Sequence, residues 1–125
     1  MQKRQLGQSS LHVYPITFGC NVFGWTADET RSFQLLDAFL AAGFNCIDTA
    51  DVYGHRGGSE TFLGQYLGAR RKDIVLASKF GNAMDDAGTM KGASRRYIMA
   101  AVEASLKRLK TDWLDIYQLH RFDPS

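Results

Sequence analysis

The run Ile74-Val75-Leu76-Ala77-Ser78 is apolar at nearly every position and ends at Lys79. A strand with one face in water alternates apolar and polar residues, whereas a strand covered on both faces does not. The stretch therefore reads as a strand of a parallel sheet. Similar runs lie on either side: Ile16 to Gly19, Phe44-Asn45-Cys46-Ile47-Asp48 and Ile116-Tyr117-Gln118-Leu119. Helical patterns separate them. Thr26 or Asp28 can cap a helix running to Ala42, with Phe33, Leu36 and Leu40 as its apolar stripe. Gly43 follows where a left-handed residue closes a helix. Ser59 opens a second helix with Leu63 and Leu67 on one face and Gly68 at its end. Ser94 opens a third through Lys110, with Ile98, Val102, Ser105, Leu106 and Leu109 inside.

Ahead of this repeat, Arg4-Gln5-Leu6 and Leu11-His12-Val13-Tyr14 flank the turn Gly7-Gln8-Ser9-Ser10. That is a β-hairpin, ended by Pro15, which has no backbone donor to extend a ladder. The chain thus divides into a hairpin cap at 1–14 and a βαβαβαβ unit at 15–125. Strand starts at 16, 44, 74 and 116 are 28, 30 and 42 residues apart, and a (β/α)₈ barrel of ~250 residues allots ~31 to each unit. Three α/β architectures satisfy the pattern: an open doubly wound sheet, a flavodoxin-like sheet, or part of a closed barrel. The turn after the first strand, Gly19-Cys20-Asn21-Val22-Phe23-Gly24, is not the GxGxxG of dinucleotide-binding sheets, and no GxxxxGK[ST] is present.

Composition narrows the function. The 125 residues suit one domain and are about half of what a closed barrel requires. Lys and Arg number 15 against 13 Asp and Glu, and no long run of one charge occurs, so neither nucleic acid nor acidic lipid is an implied partner. No apolar run approaches the ~18 residues of a membrane span. The basic pair Lys3-Arg4 has no apolar stretch behind it, so no signal peptide is read. Cys20 and Cys46 form no CxxC, which points away from disulfides and zinc and toward a reducing, cytoplasmic setting.

In parallel α/β folds chemistry gathers at the C-terminal ends of strands. Strand two ends in Asp48-Thr49-Ala50-Asp51-Val52-Tyr53-Gly54, strand three in Lys79-Phe80-Gly81, and strand four in His120-Arg121-Phe122-Asp123-Pro124. Asp, Tyr, Lys and His therefore converge on one rim. A free tyrosine, with a pKa of about 10, is a poor acid at neutral pH. An ammonium held beside the phenol favours the phenolate, and a carboxylate keeps that ammonium charged and in place. A neutral histidine can donate to a carbonyl oxygen. The set suits reduction of a carbonyl by hydride, with Tyr53 delivering the proton. The hydride must come from a cofactor, because no side chain supplies one.

The chain resembles the aldo-keto reductases. The resemblance is carried by Arg4-Gln5-Leu6-Gly7, by Gly43 through Gly54, by Ser59-Glu60 with Leu63-Gly64, by Ser78-Lys79, and by Gln118 through Pro124. It implies a partial (β/α)₈ barrel, strands 1–4 and helices 1–3, behind an N-terminal hairpin. It implies that Asp48, Tyr53, Lys79 and His120 are the catalytic tetrad. It implies a nicotinamide cofactor, NADP(H) rather than NAD(H), and a small aldehyde or ketone as substrate. Cys20, Asn21 and Asp48 are the cofactor-side candidates, and Trp25 lines the substrate pocket with Tyr53 and His120. His55 and Arg56 read as a solvated loop. The family's barrel continues for roughly as long again, through strands 5–8. The unpaired edges of a half barrel favour self-association.

Two other functions compete. The β subunits of voltage-gated potassium channels resemble this sequence and act as assembly partners, but typically carry Asn-Arg-Pro-Asp-Pro where this chain has His120-Arg121-Phe122-Asp123-Pro124. That difference favours the enzyme branch. The third reading is a non-catalytic fragment of the same scaffold.

Overall fold

The computed structural model describes residues 1–125. The hairpin pairs β1 (Arg4–Gln5) with β2 (His12–Val13) antiparallel, Arg4 opposite Val13. Leu6 N–H donates to the Leu11 carbonyl at 2.9 Å and closes the turn. Then come β3 (Thr17–Gly19), α1 (Glu29–Ala41), β4 (Cys46–Asp48), α2 (Tyr53–Leu67), a 3₁₀ turn (Gly68–Asp73), β5 (Val75–Phe80), α3 (Arg95–Leu109) and β6 (Ile116–Leu119). The four later strands form one parallel sheet in the order β3-β4-β5-β6. The architecture is the hairpin plus partial (β/α)₈ barrel that the sequence implies. No helix is long and apolar enough to cross a membrane.

The helix boundaries carry their reasons. Asp28, not Thr26, caps α1, accepting from Arg31 N–H at 2.8 Å. The fully covered stripe of α1 is Ser32, Leu36 and Phe39, with Phe33 and Leu40 at its margins. Ser94 caps α3 by accepting from Tyr97 N–H at 3.1 Å. That helix stops one residue short of the expected end, because Lys110 adopts the left-handed conformation at φ 54°. The span of α2 is interrupted at once: Gly54, His55 and Arg56 have φ of 74°, 58° and 65°, and Gly57 has 132°. Regular right-handed helix therefore begins beside Ser59, as the sequence suggests.

Register gives the sheet two different faces. Ile47, Leu76 and Ser78 lie on one, and Cys46, Asp48, Val75, Ala77, Lys79, Ile116 and Gln118 on the other. The first face packs on the helices, where Phe23, Leu36, Phe39, Leu63 and Leu109 join Ile47 and Leu76 in the main core. On the second face Val13 of the hairpin packs with Cys46 and Val75, flanked by Leu6, Leu11 and Ile116. The hairpin thus covers the end of this face at the strand N-termini. The polar end, where Asp48, Lys79 and Gln118 sit, remains open.

Candidate active site

Asp48 is the last residue of β4 and Lys79 the penultimate residue of β5. Because Asp48 pairs with Ala77, Lys79 lies one same-face step further along. Its ammonium reaches back and donates to Asp48 Oδ2 at 2.6 Å and to the Thr49 carbonyl at 2.9 Å. A third donor direction meets Tyr53 Oη at 3.4 Å. All three N–H groups of the ammonium are thereby directed. The phenol oxygen accepts, which leaves its own proton free for another partner. The Lys79 side chain is only 15% exposed, so the contacts with Asp48 and Tyr53 operate with little screening.

The loop that carries Tyr53 is an extension of the sheet. Thr49 N–H donates to the Ala77 carbonyl at 2.9 Å and Asp51 N–H to the Lys79 carbonyl at 3.2 Å. Behind it, Thr49 Oγ1 and Ser59 Oγ are 2.8 Å apart, and Ser59 donates to the Cys20 carbonyl at 2.9 Å. Gly54 makes the turn possible: a Cβ there would collide with the Phe23 carbonyl and lie 2.7 Å from Ser59 N. The requirement for positive φ compounds the collision.

His120 follows β6, and its N–H donates to the Phe80 carbonyl at 2.8 Å. Its ring stands perpendicular to that of Tyr53, with centroids 5.6 Å apart. Asn82 Nδ2 lies 3.4 Å from His120 Nδ1. With the amide donating, the neutral ring carries its proton on Nε2. Burial first, then the charges of Lys79 and Arg121, push the His120 pKa below its ordinary value against the opposing pull of Asp48. The four tetrad candidates therefore form one contiguous group on the open rim.

The remaining candidates divide. Trp25 is 66% exposed and borders a shallow pocket with Asn21, Tyr53, His55 and Arg56. Asn21 is exposed beside it. Cys20 is a correction: it is fully buried among the helix-side core residues, so its thiol offers no surface to a cofactor. Arg56 pairs with Asp86 at 2.9 Å, tying the Tyr53 turn to the loop after β5. No group of His, Cys, Asp and Glu is placed to hold a metal ion.

The sequence reading missed a buried polar cluster behind the loop: Asp51, Glu60, Ser78 and Arg108. A signal for it was present. Glu60 precedes Leu63, Gly64 and Leu67 at helical spacing, and Arg108 follows Ala101 and Ser105 in the same way. Charges on two inward stripes of facing helices mark a buried pair. Asn82 had no such signal.

Comparison with known proteins agrees with this fold. The chain matches the aldo-keto reductase of Bacillus halodurans, a solved structure, at TM-score 0.84 and 46% identity, over 95% of this chain and 40% of that one. An uncharacterized oxidoreductase of Bacillus subtilis is 43% identical over 96% of this chain and 39% of its own length. A probable voltage-gated potassium channel β subunit of Arabidopsis thaliana is 39% identical over all of this chain and 39% of its own. The chain thus spans about two fifths of the length of these relatives. The model of the aldo/keto reductase family matches residues 15–125, and the chain belongs to that family.

Proposed function

We propose that this chain carries the proton-donating half of an NAD(P)H-dependent aldehyde or ketone reductase. The observation that supports it is the Lys79 ammonium, held between the Asp48 carboxylate and the Tyr53 oxygen. As a carbonyl oxygen gains negative charge, Tyr53 gives it a proton. The phenolate left behind faces the ammonium, which stabilises it, and Asp48 keeps Lys79 charged and oriented. His120, neutral near pH 7, offers its Nε2 proton to the same carbonyl oxygen and packs the Tyr53 ring edge to face.

On this chain's side, Gly19, Asn21 and Asp48 are the residues that would hold a nicotinamide ring. Gly19 and Asn21 are exposed, and Gly19 pairs with the half-buried Asp48, so an amide and a carboxylate lie side by side there. When bound, the reduced nicotinamide supplies the hydride. The preference for NADP(H) over NAD(H) rests on the family's habit. Trp25 and the Tyr53 ring would flank the substrate.

Two tests apply. Reduced nicotinamide cofactor is titrated into the chain by fluorescence. The chain is also joined to the remainder of the Bacillus halodurans barrel and assayed with simple aldehydes. Aldehyde-dependent cofactor oxidation supports the reading; a folded, cofactor-binding chimera without turnover contradicts it.

The channel β-subunit likeness supports a second reading, an assembly role, which the same chimera distinguishes by its inactivity. Strands β3 and β6 are the sheet's edges. We expect them to pair with the rest of a barrel or with a second copy, visible as association in sedimentation.

A further inference from the structure

On the helix side of the Tyr53 turn lie polar groups that the proposed proton transfer does not use. Glu60 has no exposed surface. Its Oε1 accepts from Arg108 Nε and Nη2, both at 2.8 Å, and its Oε2 accepts from the Ser78 hydroxyl at 2.8 Å. Ser78 is the residue before Lys79 in β5. Asp51 is 1% exposed, and its Oδ1 has no partner. Asp51 N–H is the one bound to the Lys79 carbonyl, and Tyr53 follows two residues later. The Arg108 side chain also supports the far end of the turn: a Cβ on Gly57 would stand 2.9 Å from its Cδ. The cluster therefore touches both the strand that carries Lys79 and the turn that carries Tyr53.

We propose that Asp51, Glu60, Ser78 and Arg108 form a positioning network for the Tyr53–Lys79 contact, and that the protonation of Asp51 sets how firmly the Tyr53 turn is held.

The charge count gives the reason. With Asp51 neutral, one carboxylate, Glu60, faces one guanidinium, Arg108, and the buried space is balanced. With Asp51 ionised, two carboxylates share that guanidinium away from water, and like charges so placed repel. Asp51 lines a small cavity with Tyr97, Ala101 and Arg108 of α3, and its charge also acts on Glu60 of α2 and Tyr117 of β6. From β5 it meets the Lys79 carbonyl. Burial first, then Glu60, push the Asp51 carboxyl up to about 7, against Arg108 and the N–H groups of Val52 and Asp51. Tyr97 and Tyr117 are themselves pushed up, by burial first and then by the Asp51 charge, so they stay neutral across this range. The strain of ionisation is borne by the Asp51-Val52-Tyr53 segment, because Glu60 is fixed from both sides by Arg108 and Ser78.

The inference rests on the reductase reading only for its catalytic consequence. Its test concerns geometry alone, so the two can fail separately. In the full 125-residue chain, the Tyr53 ring resonances, assigned with Tyr53→Phe, are followed by NMR from pH 5 to pH 9. We expect a step near pH 7 that persists in His120→Asn and is lost in Asp51→Asn. Glu60→Gln should move the midpoint to lower pH by removing the like charge, and this variant decides the matter if Asp51→Asn does not fold. A step that disappears in His120→Asn and survives in Asp51→Asn overturns the proposal. So does the absence of a step, or a midpoint that Glu60→Gln leaves in place.

Discussion

Lys79 Nζ lies 3.4 Å from Tyr53 Oη and 5.0 Å from the centroid of the same ring, while holding Asp48 at 2.6 Å. The ammonium is therefore anchored by the carboxylate and spends its remaining donor on the phenol. Two substitutions separate anchoring from charge. Lys79→Met removes the charge that stabilises a phenolate, and should lower turnover in a completed barrel by ~10²-fold or more. Asp48→Asn keeps the ammonium but frees it, and should cost less. Steady-state rates of both variants at saturating aldehyde check the order.

His120 gives a pH dependence of known sign. Its folded pKa lies below its ordinary value, chiefly from burial. The unfolded chain thus binds the proton first as pH falls. The contribution of His120 to stability is complete above about pH 6.5 and is lost as pH falls through the folded value. Denaturant midpoints measured from pH 5 to pH 8 should show this slope in the wild type and a reduced slope in His120→Asn.

Asp51 acts with the opposite sign. Its carboxyl is raised from 3.8 to about 7. The folded state therefore holds the proton longer than the unfolded chain. Its contribution to stability is complete below about pH 3.8 and is lost by the time pH has risen through about 7. Asp51→Asn, which keeps the shape and cannot ionise, should gain stability relative to the wild type between pH 5 and pH 8. A constant offset over that range would contradict the assignment.

Gly64 tests the seating of α2 on α3. It is buried, and a Cβ there would collide with the Arg108 carbonyl and lie 3.0 Å from the Leu109 carbonyl carbon. In an isolated helix, glycine to alanine gains about 1 kcal/mol. Here the obstacle is backbone, which cannot rotate away, and overpacking costs about 1–3 kcal/mol. We expect Gly64→Ala to destabilise the chain in thermal or denaturant unfolding. It should also disturb the Arg108–Glu60 pair.

The parts of the fold that could be read from the sequence are those where one residue class repeats. The apolar run before Lys79 reveals a strand because β5 is buried along nearly its whole length, and the shorter runs before Asp48 and His120, which carry Asn45 and Gln118, are recognised by their spacing from it. The rim residues follow from that topology without any contact being known. The hand of the Gly54–Gly57 turn was not legible. Glycine announces a turn, but His55 and Arg56 follow Gly54 into positive φ, which residues other than glycine rarely adopt. Cys20 stands just beyond β3, where the rim is expected, but its side chain turns toward Phe23 and the helices. The Asp51–Glu60–Arg108 cluster is legible only in the charges that interrupt the apolar stripes of α2 and α3.

The central claim is that Tyr53 donates the proton in carbonyl reduction. The most direct test is the rate of aldehyde-dependent oxidation of reduced nicotinamide cofactor by the chimeric barrel, with and without Tyr53→Phe, each variant first shown to bind the cofactor equally. The phenylalanine keeps the ring against His120 and removes only the oxygen that Lys79 faces. The account predicts a fall of ~10²-fold or more in turnover with cofactor binding unchanged. Turnover within a few-fold of the parent would contradict it.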